Sequence, residues 1–246
     1  MPGSVVQTTL CVACPLHSAC AIRLDMAGYE VVWERIMKRL VDIVLASVAL
    51  VLLAIPLLIV MGLVRWKLGS PVFFRQTRAG LDGKPFQVIK FRTMTDARGP
   101  DGELLSDAER ITPFGWVIRR TSVDELPELW CVLRGEMSLV GPRPLPTFYI
   151  PLYSTDQARR LRVLPGITGW AQVNGRNSLS WEDKFRLDVW YVDHQSLWLD
   201  VRILWRTLGV VFATEDISAE GEVSATRFCG SGSTPEAAPR APAHAD

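Results

Sequence analysis

The chain has 246 residues with 27 basic and 26 acidic side chains, and a net charge of +1 excludes the basic excess of a general nucleic-acid binder. Its length leaves room for one domain of about 150–180 residues beyond any membrane element. Five cysteines do not pair evenly and nothing marks the chain for export, which argues against a disulfide framework.

Residues 1–28 read as a leader, either disordered or preceding a true start at Met26. Within it Cys11, Cys14, His17 and Cys20 have ligand-like spacing, and one short cluster of four such groups suits zinc. Residues 29–68 read as a membrane-associated helix. Leu40–Val64 is an apolar run of 25 positions that holds one charge, Asp42, and is interrupted by Pro56. Lys38 and Arg39 precede the run; Arg65 and Lys67 follow it. About 20 apolar residues cross a hydrocarbon core of about 30 Å, so the run is long enough to span. Proline lacks the N–H for its i−4 bond and crowds that carbonyl, so Pro56 should bend the helix. The arm after it, Leu57 to Leu68, reaches only about 18 Å at 1.5 Å per residue. Basic residues at both ends give no preferred orientation. A re-entrant hairpin that enters and leaves on one face accounts for all three observations, with its freed backbone groups satisfied inside the protein. A kinked span is the alternative, since proline is common in transmembrane helices.

From Arg65 to Arg92 seven basic residues (Arg65, Lys67, Arg75, Arg78, Lys84, Lys90, Arg92) face one acid, Asp82. Beside a membrane helix such a patch suits anionic headgroups or substrate phosphates, and a solvated basic surface is the plainer reading. Val72–Arg75 and Phe86–Phe91 alternate around a Gly80/Asp82-Gly83 turn and predict a β-hairpin. Residues 96–109 are polar and read as a loop into a short helix. Leu126–Leu133 reads as a compact helix, and Gly141-Pro142-Arg143-Pro144 and Pro165-Gly166 as turns. A helix is predicted over Trp181–Val192. The last helix carries Leu197, Val201, Leu204, Trp205, Leu208, Val211 and Phe212 on one stripe, with Asp200, Arg202 and Arg206 opposite. Trp198 and Trp205 suit the headgroup level of a membrane, although a core helix shows the same stripe. Residues 229–246 are too poor in apolar side chains to fold and read as a disordered tail. The expected fold is mainly α with a short β-hairpin: a membrane helix over 29–68 and an α/β catalytic domain over 69–228 bearing interfacial amphipathic helices.

The stretch Arg119-Arg120-Thr121-Ser122-Val123-Asp124-Glu125-Leu126-Pro127 is the strongest candidate for chemistry. Pro127 belongs in a first helical turn, which puts Asp124 at or beside an N-cap where negative charge is stabilised. An ordinary acidic cap has the same appearance. Two adjacent carboxylates with arginines just upstream also suit attack on phosphorus by one of them, with the other helping to hold Mg²⁺. Neither G-x-x-x-x-G-K-[ST] nor G-x-G-x-x-G is present. Prolines flanking Arg143 fix its backbone, and Arg176 closes the turn-rich run from Pro165; both suit bidentate phosphate contacts, or are surface arginines. Asp188 lies on the predicted 181–192 helix, within reach of the same site.

Six stretches occur in order: Lys38-Arg39-x-x-Asp42, Phe73-Phe74-Arg75-Gln76, Lys90-Phe91-Arg92-Thr93-Met94, Asp124-Glu125-Leu126, Val140-Gly141-Pro142-Arg143-Pro144 and Pro165 through Arg176. Together they resemble the bacterial sugar transferase family, the small monotopic phosphoglycosyl transferases, over about residues 33 to 230. The resemblance implies a re-entrant helix, a cytosolic catalytic domain on the bacterial inner membrane, Mg²⁺ dependence and contact with membrane lipids. It implies that Asp124 attacks the β-phosphate of a UDP-sugar, releasing UMP, and that undecaprenyl phosphate then takes the phosphosugar to start a lipid-linked glycan. Glu125 would be the Mg²⁺-associated partner, and Arg119, Arg143 and Arg176 the phosphate contacts; a homodimer is compatible with it. The ending Ser218-Ala219-Glu220-Gly221-x-Val223 with Phe228 resembles the branch that uses an N-acetylated amino sugar, UDP-diacetylbacillosamine. Relatives using UDP-glucose or UDP-galactose for exopolysaccharide, and a catalytically silent scaffold, are the rival readings. The chain departs from the family at Ile55-Pro56, where a Ser-Pro pair is usual.

Overall fold

The computed structural model describes residues 26–175, 179–212 and 228–230. The Cys11, Cys14, His17 and Cys20 cluster, Arg176, the 218–223 ending and the tail from residue 231 lie outside the described residues.

The apolar run folds as two helices, α1 (Met26–Leu52) and α2 (Ala54–Leu68), bent by 64°. The break falls at Leu53 (φ −92°, ψ 4°), three residues before Pro56. That offset is what a missing proline N–H produces: the carbonyl four residues earlier, on Leu52, loses its donor, so the helix gives way there. No single described helix is long and apolar enough to cross a membrane; the bent pair has that length and composition only together. Around the bend Val51, Leu52, Ile55 and Leu58 are all more than 60% exposed, a contiguous apolar tip of the kind that seeks a non-aqueous partner.

The charges at the start of the run do not face outward as basic flanks would. Arg39 donates through Nη1 to Val132 O (2.7 Å) and through Nη2 to Leu133 O (3.0 Å), carbonyls of the last turn of helix α5 (Glu128–Arg134). Lys38 Nζ donates to Val140 O (3.1 Å) and pairs with Asp200 Oδ2 (2.6 Å). Asp42 is buried, and its Oδ1 accepts from Leu139 N (3.1 Å). The motif is a docking key between α1 and the rest of the protein.

Strands β1 (Phe73–Ala79) and β2 (Pro85–Phe91) form the expected antiparallel hairpin, from Phe73 opposite Phe91 to Ala79 opposite Pro85. A 3₁₀ turn, Leu81–Gly83, joins them; Asp82 (φ 54°) and Gly83 (φ 75°) supply its left-handed backbone. The face carrying Val88 packs with Leu129, Cys131 and Val132 of α5, Met137 and α1's Ala46. Helices α3 (Asp107–Arg110) and α4 (Pro113–Arg120) follow, the latter capped by Thr112 Oγ1, which accepts from Gly115 N (3.0 Å). Helix α2 lies over this region: Val64 is buried with Phe91 and Ile118, and Phe114 and Val123 pack against that group.

A second sheet was not expected. Strands β3 (Ser138–Val140) and β4 (Gly166–Thr168) pair in parallel, Ser138 opposite Gly166 and Val140 opposite Thr168. Three-residue strands are too short for a period-2 pattern to register. Their close approach depends on Gly141, where a Cβ would come within 2.4 Å of Leu164 O. Helices α6 (Trp170–Val173), α7 (Trp181–Asp193) and α8 (Leu197–Phe212) complete the order.

Helix α8 departs from the expected stripe. Leu199, Ile203 and Asp200 are buried, whereas Trp198, Val201, Trp205 and Leu208 are exposed. Asp200, assigned to the polar face, is inside because Lys38 and the Tyr191 hydroxyl (2.6 Å to Oδ1) satisfy it. The helix therefore has one apolar face in the core and a second, indole-rich one outside, which favours the interfacial reading of Trp198 and Trp205.

Candidate active site

Asp124 is placed by a short 3₁₀ turn, Val123–Glu125, that opens on Ser122 in the left-handed region (φ 55°, ψ 17°). A non-glycine residue there costs about 1 kcal/mol, and such costs concentrate at functional sites. The sequence placed Asp124 at the mouth of the following helix, held ionised by its terminus. In the structure α5 starts later, after Pro127, and the Asp124 carboxyl is pushed up to about 6. Burial is the main cause, then the neighbouring charge of Glu125; Lys90, Arg119 and Arg143 pull the other way.

Glu125 behaves oppositely. Burial alone would raise it, but Arg143 and Lys90 override burial and hold its carboxyl well below the ordinary range. Both bonds fall on one oxygen: Arg143 Nη2 and Lys90 Nζ each lie 2.6 Å from Glu125 Oε1. Lys90 also reaches Glu128 Oε1 at 3.1 Å. Glu128 is only 3% exposed, and burial pushes its carboxyl up to about 7 although Lys90 opposes that. Adjacent carboxylates driven apart in this way take different roles: one committed as a fixed anion, the other ionising near neutrality.

The turn borders a cavity of about 680 Å³, within the usual range for small-molecule sites. Ser122 and Glu125 line it; Asp124, between them in sequence, is buried and does not itself line the cavity. Arg119 and Arg143 line it too. Arg119 is held by Nε donating to Thr93 Oγ1 (2.9 Å). Asp188 reaches the same cavity, but its Oδ2 is taken by Arg160, with Nη2 at 2.7 Å and Nε at 3.0 Å, both side chains being buried. Arg160 Nη2 also donates to Arg143 O (2.7 Å), so the Asp188–Arg160 pair fixes the arginine turn rather than presenting a carboxylate to a ligand.

Arg160, Lys184 and the partner of Lys90, Glu128, were missed by sequence reading, whereas Arg78 and Lys90 were read only as part of the basic patch from Arg65 to Arg92. The hairpin register was the available signal. Phe74, Gln76 and Arg78 alternate onto one face, and their cross-strand partners Lys90, Val88 and Phe86 share it, so one strand pattern delivers both cations to the same side. Burial, then the nearby Arg143 charge, lowers the Arg78 guanidinium to about 10, although Glu128 and Glu125 act the other way. Five cationic side chains (Arg78, Arg119, Arg143, Arg160, Lys184) line the cavity against two carboxylates, Glu125 and Asp188. With Arg143 and Arg160 paired to those carboxylates, Arg78, Arg119 and Lys184 form no ion pair among the described residues. The cavity is built for an anion.

Residues 33–214 match the family described as bacterial sugar transferase. The chain belongs to that family. It is 55% identical over 197 residues to an uncharacterised sugar transferase, EpsL, of Bacillus subtilis, covering 80% of this chain and 98% of the relative. It is 41% identical over 195 residues to a UDP-galactose-lipid carrier transferase of Erwinia amylovora, covering 72% of this chain but only 41% of that longer relative. It is 40% identical over 190 residues to a UDP-glucose:undecaprenyl-phosphate glucose-1-phosphate transferase of Caulobacter vibrioides, covering 73% and 71% respectively. Among the described residues no group of three or more His, Cys, Asp or Glu side chains is arranged to hold a metal ion. A dyad still fits Mg²⁺, which commonly takes one or two carboxylates and completes its shell with water and substrate phosphates.

Proposed function

We propose that the chain is a membrane-bound sugar-1-phosphate transferase that moves a hexose 1-phosphate from a UDP-hexose to undecaprenyl phosphate and releases UMP. The observation that carries this reading is the split carboxylate pair, Asp124 and Glu125, set against a cation-rich cavity of nucleotide-sugar size. Asp124 is ionised at neutral pH yet shielded from water. Its oxygen attacks the β-phosphorus, the bond from phosphorus to the UMP oxygen breaks, and the phosphosugar is left on the carboxyl. An oxygen of undecaprenyl phosphate then attacks the same phosphorus and frees Asp124. Arg119, Arg143 and Arg78 hold the phosphoryl oxygens as charge moves between them. Arg176 joins them by family resemblance.

Arg143 and Lys90 both bond Oε1 of Glu125, and Glu125 and Asp124 are the residues that would hold a cation. Bound there, Mg²⁺ would neutralise charge on the diphosphate. The hexose assignment rests on relatives named for UDP-galactose and UDP-glucose, and replaces the N-acetylated amino sugar suggested by the 218–223 ending. The bent apolar helix pair and the exposed indoles of α8 support a protein seated on the bacterial inner membrane with its site at the cytoplasmic surface.

The test is incubation with UDP-glucose and UDP-galactose carrying ³²P in the β-phosphate, in Mg²⁺ and without acceptor. One equivalent of UMP should be released, with label retained on a peptide containing Asp124. Asp124→Asn should stay folded and take up none. Label on another side chain, or full turnover by Asp124→Asn, would refute the assignment.

A further inference from the structure

Phe228 lies beyond the family match, which ends at residue 214, yet it is only 3% exposed. Its ring centroid is 4.9 Å from that of Phe185 and 5.8 Å from that of Tyr149, both edge to face. Trp181 at 5.7 Å and Tyr153 at 6.3 Å meet it at tilted angles. The backbone is tied to the same group, since Phe228 N donates to the Tyr149 hydroxyl (3.2 Å). Tyr149, Trp181 and Phe185 all line the cavity and Phe228 does not, so Phe228 stands one layer behind its aromatic wall. Trp181 and Phe185, a turn apart on α7, stack at 5.7 Å, and Tyr149 meets Trp181 edge-on at 5.7 Å. Lys184 also lines the cavity, and its ammonium lies 4.9 Å from the Trp181 ring centroid, where the indole face attracts a cation. Burial, then the nearby Arg143 charge, lowers that ammonium, which puts Lys184 in the neighbourhood of the proposed phosphate arginine.

We propose that Phe228 is a positioning residue for the donor: it fixes the wall of Tyr149, Trp181 and Phe185, and through Trp181 it sets Lys184 to meet the anionic nucleotide sugar. The proposal rests on the cavity being the donor site, and it extends that site to a residue outside the family match. Interlocked rings at these distances fix one another's orientation, and a close-packed interior does not refill a lost ring without moving. With the Phe228 ring removed, Trp181 and Tyr149 turn toward the space and Lys184 loses the face it lies over. The reacting groups are insulated from this change. None of Asp124, Glu125 and Lys90 touches the ring cluster through a printed ring contact. Arg160, which Tyr153 and Phe185 also meet, keeps both bonds to Asp188 and so keeps the Arg143 turn in place. The loss therefore falls on donor binding and not on the chemical step.

The test is single-turnover UMP release by the full-length protein in nanodiscs, followed against UDP-hexose concentration. Phe228→Ala should need about tenfold more donor for half its maximal rate, the worth of one hydrogen bond to a charged group. Its plateau rate should stay within about twofold of wild type, as an intact chemical step requires. Phe228→Leu refills most of the volume and should fall between the two; it carries the test if the alanine variant does not fold. Leu199→Ala, a truncation in a separate buried cluster that does not line the cavity, should lower the melting temperature and leave the donor dependence unchanged. Phe228→Ala added to Lys184→Met should weaken binding little further, because both changes act on one contact. An unchanged donor dependence in a folded Phe228 variant would make Phe228 a core residue alone and overturn the inference, with the transferase reading intact. So would an equal rise in Leu199→Ala, or Phe228 and Lys184 effects that simply multiply. If wild type releases no UMP from any UDP-hexose, the transferase reading itself fails.

Discussion

Lys90→Met isolates the electrostatics of the nucleophile without touching it. The Lys90 ammonium lies 2.6 Å from Glu125 Oε1 and 3.1 Å from Glu128 Oε1, and its charge is one of those restraining the rise of Asp124, which stands at about 6. Removing a nearby opposite charge moves a carboxyl by about one unit or more, here upward to about 7. At pH 6 the ionised fraction of Asp124 would fall from about one half to about one tenth, a roughly fivefold slower first step. At pH 8 it would remain above about 90% in both proteins, and the rates should nearly coincide. Single-turnover UMP release from a labelled UDP-hexose, followed between pH 5.5 and 8.5, reads this directly. Lys90→Arg keeps the charge and should keep the wild-type profile. Glu128 loses its ion-pair partner in Lys90→Met, so a stability loss of up to about 3 kcal/mol accompanies it and is followed by melting in the same buffers. A loss equal at every pH, with the midpoint unmoved in a folded variant, would refute the argument that Lys90 tunes Asp124.

Glu128→Gln should stabilise the protein at pH 8 by on the order of 1–3 kcal/mol and leave it nearly unchanged at pH 5. The sign follows from a carboxyl that folding raises from 4.5 to about 7: the folded state binds the extra proton, so stability falls as pH rises between those values, and glutamine escapes that loss. Thermal melts at the two pH values decide it, and destabilisation at pH 8 would show that the Lys90 pair outweighs burial. Lys38→Met leaves Asp200 buried without its cation and should cost about 3–5 kcal/mol, most of it recovered by adding Asp200→Leu; an unrecovered double variant would mean that the pair is not what holds α1 in place. Gly141→Ala should destabilise by about 1–3 kcal/mol or more, because its Cβ meets backbone at Leu164 O, and should depress UMP release through the displaced Arg143 turn; a variant with normal melting and activity would contradict the close approach of β3 and β4.

What could be read in the sequence was what local pattern controls. The apolar run with its internal proline gave the bent pair, strand alternation around Gly80–Gly83 gave the hairpin, and the adjacent carboxylates gave the candidate site's turn. The parallel β3–β4 pair was not legible, because its partners are separated in sequence and each strand is three residues long. The pairing of Asp188 was also hidden: nothing near it announces Arg160, which belongs to a different element. Asp200 failed for the same reason, since a charge on a helix face reads as solvated until its partner, Lys38, is brought up by tertiary structure. The direction of the Asp124 shift was missed because helix termini can be argued from sequence and burial cannot.

The bent helix pair also packs against both turns of the candidate site. Its second arm packs through Val64 against Phe91 and Ile118, and Val123 joins that cluster immediately before Asp124. Its first arm holds β3 through Asp42 to Leu139 N and Lys38 to Val140 O, and the chain then passes through Gly141 and Pro142 into Arg143. The two arms thus bear on opposite sides of one ion pair, the nucleophile's turn carrying Glu125 and the turn carrying Arg143, which meet at 2.6 Å. Under the proposed function, seating the bent pair in lipid and assembling the candidate phosphate site would be one structural event, as a reaction between a bilayer-bound acceptor and a water-soluble donor requires.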